Sequence, residues 1–204
     1  MEKLLKIEPS GLDVVASYKL LTGIVVPRPI AWISTLGAAG QVNVAPFSAF
    51  TFVCTKPPML AITLGPRPVG GLKDTAKNIA ARKEFVINIA NVGLLDALHE
   101  SGMDYPEETS EAELLNLATL PGERIKTPRL ADAPISMECV LHKSLELGVA
   151  KANLIIGEVL LFHVRDGLAV NGKIDTQLLD PICRLGGPLY ASLGTIFRKS
   201  DILG

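Results

Sequence analysis

The sequence predicts a mainly β fold, a small and mostly antiparallel barrel with peripheral helices. Strand-like apolar segments recur along the chain, about six of them. They do not alternate regularly with helices, as a doubly wound parallel sheet would require. The strongest two, 30–36 and 41–47, are joined by Gly37-Ala-Ala-Gly40, a hairpin connection. With 204 residues and no repeat or low-complexity tract, the chain reads as one domain, 1–204, with a sizeable core.

Taken in order, residues 18–21 belong to a short lead-in helix closed by Gly23. The hairpin follows, and 51–55 continues in extended form until Lys56-Pro57-Pro58 punctuates it. Residues 59–64 form a continuous apolar strand. The Gly- and Pro-rich stretch from Gly65 changes into a helix that places Leu72, Ala76, Ile79 and Ala80 on one face. Strand pattern returns over 84–89, and 92–100 reads as a helix. An acidic segment, 105–120, carries Ser110-x-x-Glu113, a capping box before a short helix, and is expected to cover a barrel edge. Beyond the proline-bearing loop 121–133 come three strand segments, 136–142, 144–149 and 153–164. Turn signals at Asp166-Gly167 and Asn171-Gly172 precede an irregular stretch over 174–182, and Gly186-Gly-Pro188 breaks the chain before Tyr190.

Composition narrows the function classes. A hydrophobic fraction of 48% excludes a disordered chain. A formal net charge of -1 offers no electrostatic footprint for nucleic acid or an anionic membrane. No apolar run reaches membrane-spanning length, and the first residues lack a signal-peptide core, so the expected location is cytoplasmic. The 3 cysteines and 3 histidines are scattered without metal-ligand spacing, so no metal is expected.

Two segments carry chemistry. In the hairpin, Ser34, Thr35, Asn43 and Ser48 lie among apolar neighbours, which suits a flat polar ligand laid against a sheet. Trp32 shares a face with Ser34 and offers either a stacking surface or core packing. The second segment, 65–78, leads a glycine-bearing loop into a helix N-terminus, where backbone amides and a partial positive charge favour an anion. Arg67 and Lys73 add cations and Thr75 a hydroxyl, but the spacing is not that of a nucleotide-triphosphate P-loop. The bland alternative for this second segment is a solvated helix start capped by Asp74. No Gly-x-Ser-x-Gly elbow occurs, so a serine-hydrolase reading lacks its local support.

Taken together, these pieces resemble the flavin reductase-like, FMN-binding split-barrel family, which includes flavoredoxins and the reductase components of two-component monooxygenases. The resemblance spans about 18–190. It rests on Pro27-Arg-Pro-Ile-Ala-Trp-Ile-Ser-Thr35, Asn43-Val-Ala-Pro-Phe-Ser48 with Phe50, and Pro57-Pro-Met59. It continues through Lys73-Asp-Thr75 with Asn78-Ile79, Glu84-Phe-Val-Ile-Asn88 and Met137-Glu-Cys139. Gly157-Glu-Val159 with His163, and Arg184-Leu-Gly-Gly187 with Tyr190, complete it.

The resemblance implies a six-stranded antiparallel Greek-key split barrel, a homodimer with FMN near the subunit interface. By matched position, Trp32, Ser34 and Thr35 lie along the isoalloxazine and ribityl part. Ala45, Pro46, Phe47 and Ser48 meet the ring's polar edge. Gly65, Arg67, Lys73 and Thr75 hold the phosphate, with Asn78 nearby. His163, Arg184 and Tyr190 border the substrate side. The implied activity is hydride transfer from NAD(P)H to flavin and onward to a flavin or other electron acceptor. No protein residue is assigned as catalytic, because the cofactor carries that chemistry. The alternatives are a flavoredoxin-type FMN electron carrier reduced by a protein partner, and a non-catalytic flavin-binding barrel.

Overall fold

The computed structural model describes residues 4–67 and 70–198. Seven antiparallel strands form the main sheet: β1 (Ala31–Leu36), β2 (Val42–Phe47), β3 (Phe50–Thr55), β4 (Pro58–Leu64), β5 (Glu84–Ile89), β6 (Ile135–Leu147) and β7 (Ala152–Val164). Their spatial order is β2-β1-β5-β6-β7-β4-β3. The helices are α1 (Val14–Ile24), α2 (Asp74–Arg82), α3 (Leu95–Glu100), α4 (Glu111–Leu114) and α5 (Thr176–Leu179).

The sheet therefore has seven strands where six were expected, and no hydrogen-bonded ladder closes it into a barrel. Its two edge strands, β2 and β3, are nevertheless consecutive in sequence, with only Ser48 and Ala49 between them. That short link bends the sheet back on itself. The Thr63 amide donates to the Ala49 carbonyl at 2.8 Å, pinning the link to β4.

Two buried clusters use opposite faces of the sheet. The first packs Ile33, Phe47, Ile62, Ile79, Phe85, Ile87 and Ile155 inside the curve. The second packs Ile30, Trp32, Val44, Leu98, Leu130 and Ile182 outside it, under the loops and α3. Residues 31–35 are all buried because alternate side chains enter different clusters. This explains why the strand shows no wet face in sequence. Each fully buried large side chain contributes roughly 1.5–3 kcal/mol.

Several element boundaries differ from the sequence reading. α1 runs for 11 residues rather than one turn, starting on an Asp13 side chain that accepts from the Ala16 amide. The segments expected as separate strands over 136–149 form one strand of 13 residues. It bends with β7 through register shifts rather than breaking. The helix read over 92–100 is a 3-10 turn followed by α3. On α2, Thr75, Ala76 and Ile79 are buried but Ala80 is exposed, and Leu72 lies before the helix and is exposed as well. No helix among the described residues is long and apolar enough to cross a membrane.

The acidic segment covers the β2 edge. The Val44 amide donates to the Glu111 carboxylate at 2.9 Å, and the Ser110 hydroxyl donates to the Val42 carbonyl at 3.1 Å. These two side chains take the place of a neighbouring strand and satisfy backbone groups that would otherwise invite another chain. Ser110 also accepts from the Glu113 amide, as the capping box predicts. Burial pushes the Glu111 carboxyl above its usual range, against the pull of the Val44 amide. A raised acid favours the folded state when neutral, and that contribution is lost as pH rises through the raised value. Glu111→Gln keeps an acceptor and removes the desolvated charge, so its unfolding midpoint at neutral pH should match or exceed the parent's. Glu111→Ala strands the Val44 amide and should cost about 1–3 kcal/mol in urea unfolding.

Candidate functional site

The register of the β1–β2 hairpin sets Thr35 opposite Asn43, Ile33 opposite Ala45 and Ala31 opposite Phe47. All six side chains therefore share the concave face, and the polar pair stands at the end nearest α2. The Asn43 amide donates to Thr35 Oγ1 at 3.2 Å and to Thr75 Oγ1 at 3.0 Å. Asn78 donates to the same Thr35 oxygen at 3.0 Å. Four small polar side chains thus fasten the first turns of α2 to the hairpin. A hydroxyl or amide removed here would leave a buried partner unsatisfied.

The N-terminus of α2 lacks a side-chain cap. Lys73 occupies the cap position, and no side chain accepts from the first-turn amides. Its ammonium sits 5.6 Å from the centre of the Phe47 ring, a cation-π contact. Among the described residues it has no carboxylate partner. Asp74, which the bland reading of the sequence makes the cap, is instead the first helical residue. Its carboxylate is shared between Arg67 at 3.0 Å and Lys77 at 3.1 Å.

That pairing neutralises Asp74 and commits Arg67, which also reaches Asp104 at 3.5 Å. Glu107 accepts from Lys77 at 2.6 Å; this bond raises the lysine's pKa and lowers the glutamate's. Gly65 is exposed at the loop's start, and Gly70 and Gly71 both carry positive φ, 89° and 85°, a turn that L side chains resist. The free cation at the helix start is therefore Lys73.

Along β2, Ala45 and Pro46 are half-buried and Phe47 is buried, and Ser48 follows at the bend. Ser48 Oγ accepts from Arg28 Nε at 3.3 Å. The Arg28 guanidinium also donates to the carbonyls of Thr22, Val25 and Leu185, at 2.6, 2.8 and 2.9 Å. It thereby stabilises the C-terminal end of α1 and ties it to the chain near residue 185. Beside this junction, Arg184 pairs with Arg28 in a small sheet whose third strand is Tyr190–Ala191. Arg184 donates to the Tyr190 hydroxyl and to the Gly187 carbonyl. The Tyr190 hydroxyl also lies 3.1 Å from His99 Nδ1. Burial raises the Tyr190 pKa, opposed by the charge of Arg184.

The structure thus brings Thr35, Ala45, Phe47, Lys73, Thr75 and Asn78 onto one shelf, with Ser48 at the bend beside Arg28, whereas Pro46, opposite Trp32, and Tyr190, beside Arg184, pack on the outer face. Trp32 and Ser34 are fully buried on the opposite face of β1. The Trp32 indole donates to Ser101 at 2.8 Å, and Ser34 donates to the Pro128 carbonyl at 2.7 Å. His163 stands apart, on β7, four strands from β2 in the sheet order and on the outer face with Glu138. Its Nε2 lies 2.6 Å from Glu138.

Asn43, one of the polar hairpin residues the sequence singles out, gains its place from a hairpin centred near Ala39, which sets it opposite Thr35. Two contributors escape the sequence reading. Arg28 and His99 have no signal, since their partners at Leu185 and Tyr190 are 157 and 91 residues away.

The model of the flavin reductase like domain family matches residues 23–179. A protein of Halalkalibacterium halodurans is 36% identical over 197 residues, covering 95% of this chain and 94% of its own length. The crystal structure of nitrilotriacetate monooxygenase component B from Bacillus cereus superposes with a TM-score of 0.93 at 35% identity. That match covers 97% of this chain and 100% of the other. Pseudomonas fluorescens 2-nitrobenzoate 2-nitroreductase NbaA gives 0.87 at 34% identity, covering 95% and 94%.

Proposed function

This chain belongs to the flavin reductase-like, FMN-binding split-barrel family, and on that premise we propose that it binds FMN and passes electrons from NAD(P)H to an acceptor. The observation that carries the reading is the uncapped start of α2 beside the Lys73 ammonium. This geometry fits a phosphate: backbone amides and one uncommitted cation converge, while the nearby Asp74 charge is already neutralised.

When bound, FMN supplies a ring system that takes up a hydride and releases electrons to an acceptor. The protein's share is position and electrostatics. Lys73 and the α2 amides hold the phosphate. Thr35, Asn43, Thr75 and Asn78 keep the helix start in register with the hairpin, and the half-buried backbone from Ala45 to Ser48 receives the ring edge. Trp32 and Ser34 support the shelf from behind, through Ser101 and the Pro128 carbonyl. Arg184 and Tyr190, with His99, border the side from which a second substrate approaches. Such an arrangement needs no protein acid or base for the hydride step, in keeping with the lack of an assigned catalytic residue.

A second copy of the chain completes the reading. α1 buries none of its residues, and Val14, Val15, Tyr18, Leu21 and Ile24 are all exposed. An 11-residue helix is marginal in water without packing. Phe52, 72% exposed, adds an apolar side chain on the uncovered β3 edge. A homodimer covers such surface. Free thiols at Cys54, Cys139 and Cys183 suit a reducing cytoplasm.

The reductase reading is tested by following NADH and NADPH oxidation by the purified protein with FMN. Turnover with at least one nucleotide is expected. Bound flavin without turnover would favour the electron-carrier alternative.

A further inference from the structure

A cleft of about 440 Å³ opens at the other end of the sheet, where the loop before β6 meets the end of β7. Arg129, Asp132, His163 and Arg165 supply its charged and titratable lining. We propose that this cleft binds a small organic oxyanion, a phosphate ester or a carboxylate, through Arg129 and Arg165.

The Arg129 guanidinium has a buried Nε with no hydrogen-bond partner, and no ion pair engages Arg129 or Arg165 among the described residues. A buried donor normally has an acceptor, and a guanidinium presents its donors as a planar fork that matches phosphate or carboxylate oxygens. That Nε is closed off from solvent, and the terminal nitrogens of the same guanidinium, which make no hydrogen bond among the described residues, are with Arg165 the donors open to a ligand in the cleft.

Neighbouring charges are arranged to leave that fork available. Glu138, the fully buried carboxylate beside the cleft, accepts from the amides of Glu123, Arg124 and Ile125 and is held by His163 Nε2. Glu123 lies 3.8 Å from the other imidazole nitrogen. Asp132 is exposed on the rim and pairs with neither arginine. The volume exceeds the needs of a bare tetrahedral anion and falls in the usual range of roughly 300–1,000 Å³ for small-molecule sites. The cleft lies on the outer face of the sheet, the side of Glu138 and His163, whereas the α2 shelf lies on the concave face, so this is a separate site whose existence does not rest on the flavin reading.

The test is calorimetric titration of the full-length protein, without added flavin, using ADP, inorganic phosphate and benzoate. Saturable binding of at least one probe is expected at millimolar concentration or below. Arg129→Met and Arg165→Met should each weaken one class of sites about tenfold or more, and that class should persist in Lys73→Ala, which removes only phosphate binding at the α2 start. Binding of ADP or phosphate identifies a phosphate ligand, and binding of benzoate a carboxylate. Arg165 is exposed, so its variant carries the test if Arg129→Met does not fold. Absence of saturable binding by all three probes overturns the proposal. So does a titration in which all saturable binding survives both arginine substitutions or all of it disappears with Lys73→Ala.

Discussion

Glu138→Ala should destabilise the protein by about 3 kcal/mol or more, since it leaves three backbone amides without an acceptor at roughly 1–3 kcal/mol each. Glu138 is fully buried on β6, yet its carboxylate accepts from three consecutive backbone amides, at 2.8, 2.7 and 3.1 Å, besides facing His163. The substitution strands all three amides and frees the loop over 123–125. Burial alone would raise this carboxyl, but the amides and His163 outweigh it and hold it below the usual glutamate range. A depressed acid stabilises the fold above its unfolded pKa, and that contribution is lost as pH falls through the folded value. Urea unfolding of the parent should therefore weaken at acid pH, and Glu138→Ala should lack this part of the dependence. Glu138→Gln, which retains an acceptor oxygen, should fall between the two. An alanine variant within about 1 kcal/mol of the parent would remove Glu138 as an anchor of the loop.

Lys73→Ala should weaken FMN about ten- to a hundredfold and leave riboflavin nearly unchanged. The range follows from roughly 1.5–3 kcal/mol for a hydrogen bond to a charged group and 1.4 kcal/mol per tenfold. Arg67→Ala should cost FMN less, because its guanidinium already serves Asp74 and Asp104. Fluorescence titration with both flavins separates phosphate recognition from ring recognition. Equal losses for both ligands would mean that Lys73 does not face the phosphate.

The fold was legible where local pattern and tertiary packing agree. The β1–β2 hairpin, β4 and β5 follow from apolar segments bounded by turns, and their ends differ from the sequence reading by only a few residues. The extent of β6 was less legible, because bulges against β7 bend a strand without any sequence break. The length of α1 was hidden for another reason: its apolar side chains face outward, so no core-facing stripe marks it. On the shelf, the Thr35, Lys73 and Thr75 positions were readable from motif and spacing. The commitment of Arg67 to Asp74 was not, since a charge seven residues away reads equally as a free cation or a paired one. Trp32 shows the limit of alternation: with both sheet faces covered, strand period cannot say which one a ligand meets. Its contact with Ser101 spans 69 residues.

On the proposed function, the hairpin shelf and the α2 start together hold FMN. This is tested most directly by titrating purified, flavin-free protein with FMN and following quenching of flavin fluorescence and the visible spectrum. Saturation at about one FMN per chain is expected, with a shifted flavin spectrum, as for a ring moved from water into a partly apolar site. A protein that takes up no FMN at millimolar concentration, leaving the flavin spectrum unchanged, would contradict it.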